Sequence, residues 1–221
     1  MKFFSLFVAI LLPEIKVIKS ETSNIYAHLK DSFNEIKGNI NLRYLSLASI
    51  FGGAGGAAYE FHAAVFGTVW PLWAIGIARA LQELTCTVSY YFSDKIIKKF
   101  GALNTSIFQT VFSWLGSVIA VVVRSVASPF FIISGFILLR ASDTAYQTLQ
   151  QKEFTDKQRA TIASLNSLGS SIYFTFVMYV AGFVANRYDT FIGLLTTQIF
   201  FIPVIYYRLK LFFHVRKTQA I

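Results

Sequence analysis

Apolar residues in this chain come in long unbroken blocks rather than in short alternating runs. Crossing a bilayer as a helix takes about 20 mostly apolar residues. Against that length the sequence divides into six spans, at 42–66, 72–93, 103–123, 127–150, 160–185 and 190–211. The third and fifth hold no charged residue. The fourth runs past its apolar core into a polar stretch, from Ser142 to Gln151, that continues the helix into water. An earlier apolar run at 3–13 is too short to cross, and it ends at Pro13-Glu14 with no small-residue cleavage site. It reads either as a signal-peptide core or as the end of a preceding span, and the second reading agrees better with the loops.

Between that run and the first span, Ile25, Leu29, Phe33, Ile36 and Ile40 recur at steps of three and four, while Tyr26, Lys30, Asp31 and Lys37 take other positions. This pattern predicts an amphipathic helix, either lying at the membrane interface or serving as a water-exposed linker. The expected architecture is all-α: a polytopic membrane protein with a six-helix transmembrane bundle at 42–211. It is preceded by a partial helix at 1–13 and a cytoplasmic linker at 14–41, and followed by a tail at 212–221.

Composition agrees with this class. Of 221 residues, 55% are hydrophobic and only 14% charged, against about 25% charged in soluble domains. Lipid solvates that much apolar surface, and water does not. The net charge of +9 would point to nucleic acid in a soluble protein, but here the basic residues are spread over four segments and report orientation. Lysine and arginine concentrate in cytoplasmic loops. Of the 20 basic residues, 15 fall in 14–43, the loop after the second span, the loop after the fourth, and the stretch from Arg208 onward. The opposite side has Lys2, Arg124 and Arg187, and Arg79 and Arg140 lie within spans. Both ends of the six-span block are therefore expected in the cytoplasm, in a cell membrane, with lipid as the surrounding partner.

Charges inside spans are the candidates for chemistry, because each costs about 2.5–3.5 kcal/mol at a helix centre. Arg79 and Glu83 lie four apart in the second span, and Arg140 and Asp143 three apart in the fourth, so each pair shares a helical face. Each set is open to two readings: a substrate or proton site facing a water-filled cavity, or a self-neutralising structural ion pair. Glu60, beside His62 near the outer end of the first span, is a third candidate for proton or substrate binding, or simply an interfacial acid. In Gly52-Gly53-Ala54-Gly55-Gly56-Ala57-Ala58, the spacing formally fits a nucleotide fingerprint, G-x-G-x-x-A. That motif needs a strand before it and a loop opening a helix, which an apolar run does not offer. Gly52 and Gly56 instead read as a small-xxx-small contact for another helix, with a hinge as a further reading of four glycines in one span. One cysteine, Cys86, and three scattered histidines give no metal-ligand spacing. No H-E-x-x-H or G-x-S-x-G is present, no cofactor motif stands out, and no enzyme is expected.

Four further stretches carry a family resemblance. Gln158-Arg159-Ala160-Thr161-Ile162-Ala163-Ser164-Leu165 resembles the R-A-T-x-x-S-x segment that opens the eleventh helix of bacterial major facilitator superfamily transporters. Gly182-Phe183-Val184-Ala185-Asn186-Arg187-Tyr188-Asp189 resembles the G-x-x-A-D-R-x-G sequence that closes it, with Asn186 in place of the acid and Asp189 in place of the last glycine. Lys99-Phe100-Gly101 is similar to the basic turn between helices eight and nine. Leu12-Pro13-Glu14 with the basic linker is similar to the end of helix six and the central loop. The resemblance implies that the six spans are helices seven to twelve, the carboxy-terminal half of a twelve-helix secondary transporter. It implies that helices seven and ten line a substrate path between two halves, flanked by eight and eleven. Arg140 and Asp143 then sit on a lining helix, and Arg79 and Glu83 on a flanking one. The implied function is alternating-access transport of a small solute, with or without a coupled proton, together with a complementary half or a second copy. The alternative is a non-transporting membrane scaffold or an inactive remnant.

Overall fold

The computed structural model describes residues 25–156 and 158–219. The apolar run at 3–13, the start of the linker, Lys157 and the last two residues lie outside the described residues. Every element among the described residues is a helix or a turn: α1 (Ile25–Gly38), α2 (Ile40–Phe51), α3 (Gly53–Val69), α4 (Leu72–Tyr91), α5 (Ser93–Phe100), α6 (Ala102–Val123), α7 (Ser128–Ser134), α8 (Leu139–Glu153), α9 (Arg159–Arg187) and α10 (Thr190–Gln219). The six expected spans are all present, as α2 with α3, then α4, α6, α7 with α8, α9 and α10. The fold is an all-α polytopic membrane bundle.

Three helices are long and apolar enough to cross a membrane as they stand: Ala102–Val123, Arg159–Arg187 and Thr190–Thr218. The other three spans depart from that standard for visible reasons. Arg79, Gln82 and Glu83 dilute α4. The first span is interrupted at Gly52, between α2 and α3. The fourth is interrupted over 135–138, between α7 and α8, where several amides bond three residues back: Phe136 to Ile133 at 3.0 Å, Ile137 to Ser134 at 3.2 Å, Leu139 to Phe136 at 3.1 Å. Apolar periodicity did not anticipate this second break, because Phe136, Ile137 and Leu138 are as apolar as any helix segment.

The second break is supported by neighbours, as the bilayer interior requires of any irregular backbone. Gln109 of α6 donates through Nε2 to the Gly135 carbonyl. Ser89 of α4 accepts the Ala141 amide at 3.1 Å, a group orphaned by the interruption. At the first break, the close helix contact falls one residue from its expected place. A Cβ on Gly53 would stand 2.3 Å from the Ser170 carbonyl oxygen and 2.8 Å from the Phe174 amide, so α3 and α9 touch backbone to backbone there. Gly56 meets only the Phe174 ring, and Gly52 is the residue that separates α2 from α3.

The last span is the hub, packing against α2, α3, α6 and α9. It continues as helix to Gln219, so the expected tail is helical over 212–219. Asp189, the departure from the family glycine, caps this helix by accepting the Ile192 amide at 2.8 Å, and it pairs with Arg124 at 3.0 Å. Large apolar side chains on α4 and α9 point outward: Leu72, Trp73 and Leu84 on the first, Leu168, Ile172 and Phe183 on the second. Lipid is the solvent that accepts them.

The amphipathic helix forms as α1, but its apolar residues do not share one buried face. Ile36 packs with Leu42, Phe154 and Ile162, whereas Phe33 is exposed. Polar bonds hold α1 to the loop after α8: Ser32 to Gln158 at 2.6 Å, and Glu35 accepting from the Thr155 hydroxyl at 2.9 Å. The loop after α4 contains a short helix, α5, and turns at Gly101 with φ +82°, a conformation natural to glycine.

Candidate functional site

Between the interrupted spans and α4, α6 and α10 lies a cavity of about 580 Å³. Polar side chains converge on it from all six spans, Ser170 being the one from α9, an arrangement a membrane protein keeps only where the groups pair or face water. Glu83, Arg140 and Asp143, three of the five charged residues singled out by sequence, line it. Arg79 stands directly behind the wall, and Glu60 is exposed outside the lining.

The two expected pairs behave differently. Arg140 Nη1 and Asp143 Oδ2 are 3.2 Å apart, one turn below the break in the fourth span, and both side chains are about half exposed. Here the self-pairing predicted from spacing occurs. Arg79 and Glu83 do not form an ion pair, although α4 presents them one turn apart. Both turn instead to Tyr59 on α3. The Arg79 guanidinium lies 4.1 Å from the centre of the Tyr59 ring and donates to the Tyr59 carbonyl at 3.1 Å. The Tyr59 hydroxyl donates to Glu83 at 3.1 Å. Arg79 also reaches Gln82, whose Nε2 is 3.5 Å from Nδ1 of the buried His62. His62 lines the cavity, and its Nε2 has no partner.

A further cation, overlooked in the sequence as a candidate, sits at the other end of the cavity. Arg208 was counted among the cytoplasmic basic residues, yet α10 carries it inward. Its Nη1 donates to the Ser106 carbonyl at 3.0 Å and to the Thr110 hydroxyl, both on α6. Its guanidinium lies 4.6 Å from the centre of the Tyr146 ring. Tyr146 in turn donates its hydroxyl to the Leu45 carbonyl, joining α8 to α2. The signal was available: Arg208 falls within 190–211, a span predicted from its own apolarity. With Arg208 reassigned, 15 − 1 = 14 basic residues remain on the expected cytoplasmic side, and the asymmetry stands.

Comparisons with known proteins were made by family, by sequence and by structure. No family model matches, and no curated protein matches by sequence. By structure, the chain is similar to the crystal structure of a bacterial homologue of the iron transporter ferroportin in an outward-facing state, with a TM-score of 0.64 and 18% identity. The match covers 95% of this chain and 53% of that one, so the chain spans about half the length of the transporter it resembles. At that identity the likeness concerns the fold alone.

Proposed function

We propose that this chain is one six-helix half of a secondary transporter, corresponding to helices seven to twelve, and that it moves a small solute by alternating access with a second six-helix unit. The observation that carries the reading is the cavity: charged and polar groups from all six spans face one space, beside a helix break that neighbouring side chains support. Interrupted helices around a polar cavity are the recurring means by which transporters present backbone and side chains to a solute. Glu83, Arg140 and Asp143 contact the solute or a coupled proton in this reading, with Arg79 behind them. The second unit is a complementary half or a second copy, closing the cavity from the opposite side. Iron, the cargo named for the structural relative, is not transferred. Among the described residues no group of three or more His, Cys, Asp or Glu side chains is placed to hold a metal ion.

The test is accumulation of a mixed metabolite pool by cells or proteoliposomes containing the chain, read by mass spectrometry. At least one solute should accumulate above the empty-membrane level, and Asp143→Asn and Arg140→Gln should each abolish it with membrane insertion unchanged. Insertion without any solute movement, under conditions where crosslinking shows the second unit present, would leave the scaffold reading in its place. A reporter fused after Ile221 tests the cytoplasmic orientation of the carboxy terminus.

A further inference from the structure

The cavity's charges do not all have partners of opposite sign. Arg140 is bonded to Asp143, and Arg79 and Glu83 are joined through Tyr59. Arg208 is left over. None of the ion pairs among the described residues includes it. Asp143 is near enough to act on it electrostatically, but is already engaged by Arg140.

What holds Arg208 is neutral: a carbonyl, a hydroxyl and an aromatic face. Both hydrogen bonds leave from Nη1. Nε is buried with no partner, and no hydrogen bond from Nη2 is found. A guanidinium offers five N–H donors, two of them on Nη2, and such donors bond the oxygens of a carboxylate or phosphate. In Arg208 Nη1 is used for positioning, and Nη2 is unspent. A buried donor without a partner is costly, and an arginine within a membrane span is costlier. A residue that contributed only to packing would be expected to spend these donors on a neighbour. The ring of Tyr146 fixes the plane of the guanidinium from beneath, and the Tyr146 hydroxyl is itself tied to Leu45, so the platform is rigid.

We infer that Arg208 is the anchor for an oxyanion, a carboxylate or phosphate group of the transported solute, received on Nη2, the terminal nitrogen that no hydrogen bond among the described residues engages, while the buried Nε stays behind it. This rests on reading the cavity as the solute site, and it narrows the solute to anionic or zwitterionic molecules. The single surplus cation sets that preference, since the remaining charges cancel.

The experiment measures binding, so that it stands apart from transport. The full chain in phosphatidylcholine nanodiscs is heated with benzoate, citrate or inorganic phosphate, and with choline chloride at matched ionic strength. At least one oxyanion should raise the Tm by about 5 °C at saturating concentration, and choline should not. The same anion should slow maleimide labelling of Cys86, the sole cysteine, which lines the cavity. In Arg208→Gln both effects should vanish. If Arg208→Gln fails to insert, Arg208→Lys decides: it keeps the charge and loses the planar guanidinium, and the anion should bind at least about tenfold more weakly. A shift of equal size in the variants and the parent, or no shift with any of the three oxyanions, overturns the assignment. Repeating the assay in phosphatidylglycerol nanodiscs separates the two sources of the group. Protection by the lipid alone identifies a headgroup as occupant and overturns the soluble-solute assignment. Anion binding without metabolite accumulation leaves the anchor standing and removes the transport reading; accumulation of cationic solutes only does the reverse.

Discussion

The two ends of the cavity solve one problem, a charge within a membrane span, by opposite means. At one end Arg79 and Glu83 are joined through Tyr59, which offers its ring and carbonyl to the cation and its hydroxyl to the acid. At the other, Arg208 has a similar ring, Tyr146, but no acid of its own. The first arrangement is complete in itself. The second is fixed in position and incomplete in charge. Span position separates them as well: Arg79 is seven residues into α4, and Arg208 eighteen into α10. Since both helices are expected to start on the outer side, at about 1.5 Å per residue the Tyr59 set lies toward the outer end and Arg208 toward the inner. The difference separates a cation joined to an acid through a tyrosine from a cation that neutral groups hold.

The largest effect expected from breaking this comparison is at Arg79. Arg79→Leu removes the guanidinium from the Tyr59 ring and takes its hydrogen bond from the Tyr59 carbonyl, so a loss of about 2 kcal/mol is expected. Thermal unfolding in detergent measures it. Arg140→Gln should cost less than about 1 kcal/mol, because its pair with Asp143 is half exposed. Equal losses for the two variants would abolish the distinction between a structural set and a cavity-facing pair. A finer cut is Tyr59→Phe, which keeps the ring under Arg79 and removes only the hydroxyl bond to Glu83 at 3.1 Å. About 1 kcal/mol is expected, and in the Glu83→Gln background most of that loss should disappear. Additive losses in that double-mutant cycle would show that the hydroxyl and the acid do not act together.

The six spans and their order were legible in the sequence because apolar length is a strong signal and lipid enforces it. The structural likeness bears on the same all-α membrane fold. The breaks were less legible. Four glycines marked the one at Gly52, but nothing local marks 135–138. That interruption depends on Gln109 and Ser89, donor and acceptor from distant spans, and sequence spacing does not reveal which side chain meets which carbonyl. The charged pairs illustrate the same limit. Spacing puts Arg79 and Glu83 on one face, and it put Arg140 and Asp143 there too. Only the presence of Tyr59 on a neighbouring helix makes the first two part company. Arg208 was missed for another reason: basic residues near a span end are ordinarily loop charges, and orientation about the helix axis, which decides between loop and cavity, is invisible to a count.

The smallest expected effect tests whether Arg208 is held for packing or for binding. Thr110→Val removes one of the two acceptors of Nη1 while keeping nearly the same volume, and Ser106 still accepts through its carbonyl. If Arg208 were a packing element, losing that bond would appear in stability, at about 1.5 kcal/mol for a hydrogen bond to a charged group. In the anchor reading the guanidinium already faces a polar space. The freed N–H then turns to water there, and the stability cost should fall below about 0.5 kcal/mol. The loss should appear instead in anion affinity, because the guanidinium is no longer held in the plane that presents Nη2. Thermal unfolding of Thr110→Val with and without the most stabilising oxyanion separates the two. A large drop without anion and an unchanged anion shift would return Arg208 to the structural set that Tyr59 exemplifies. A small drop with a reduced shift keeps the two ends of the cavity distinct.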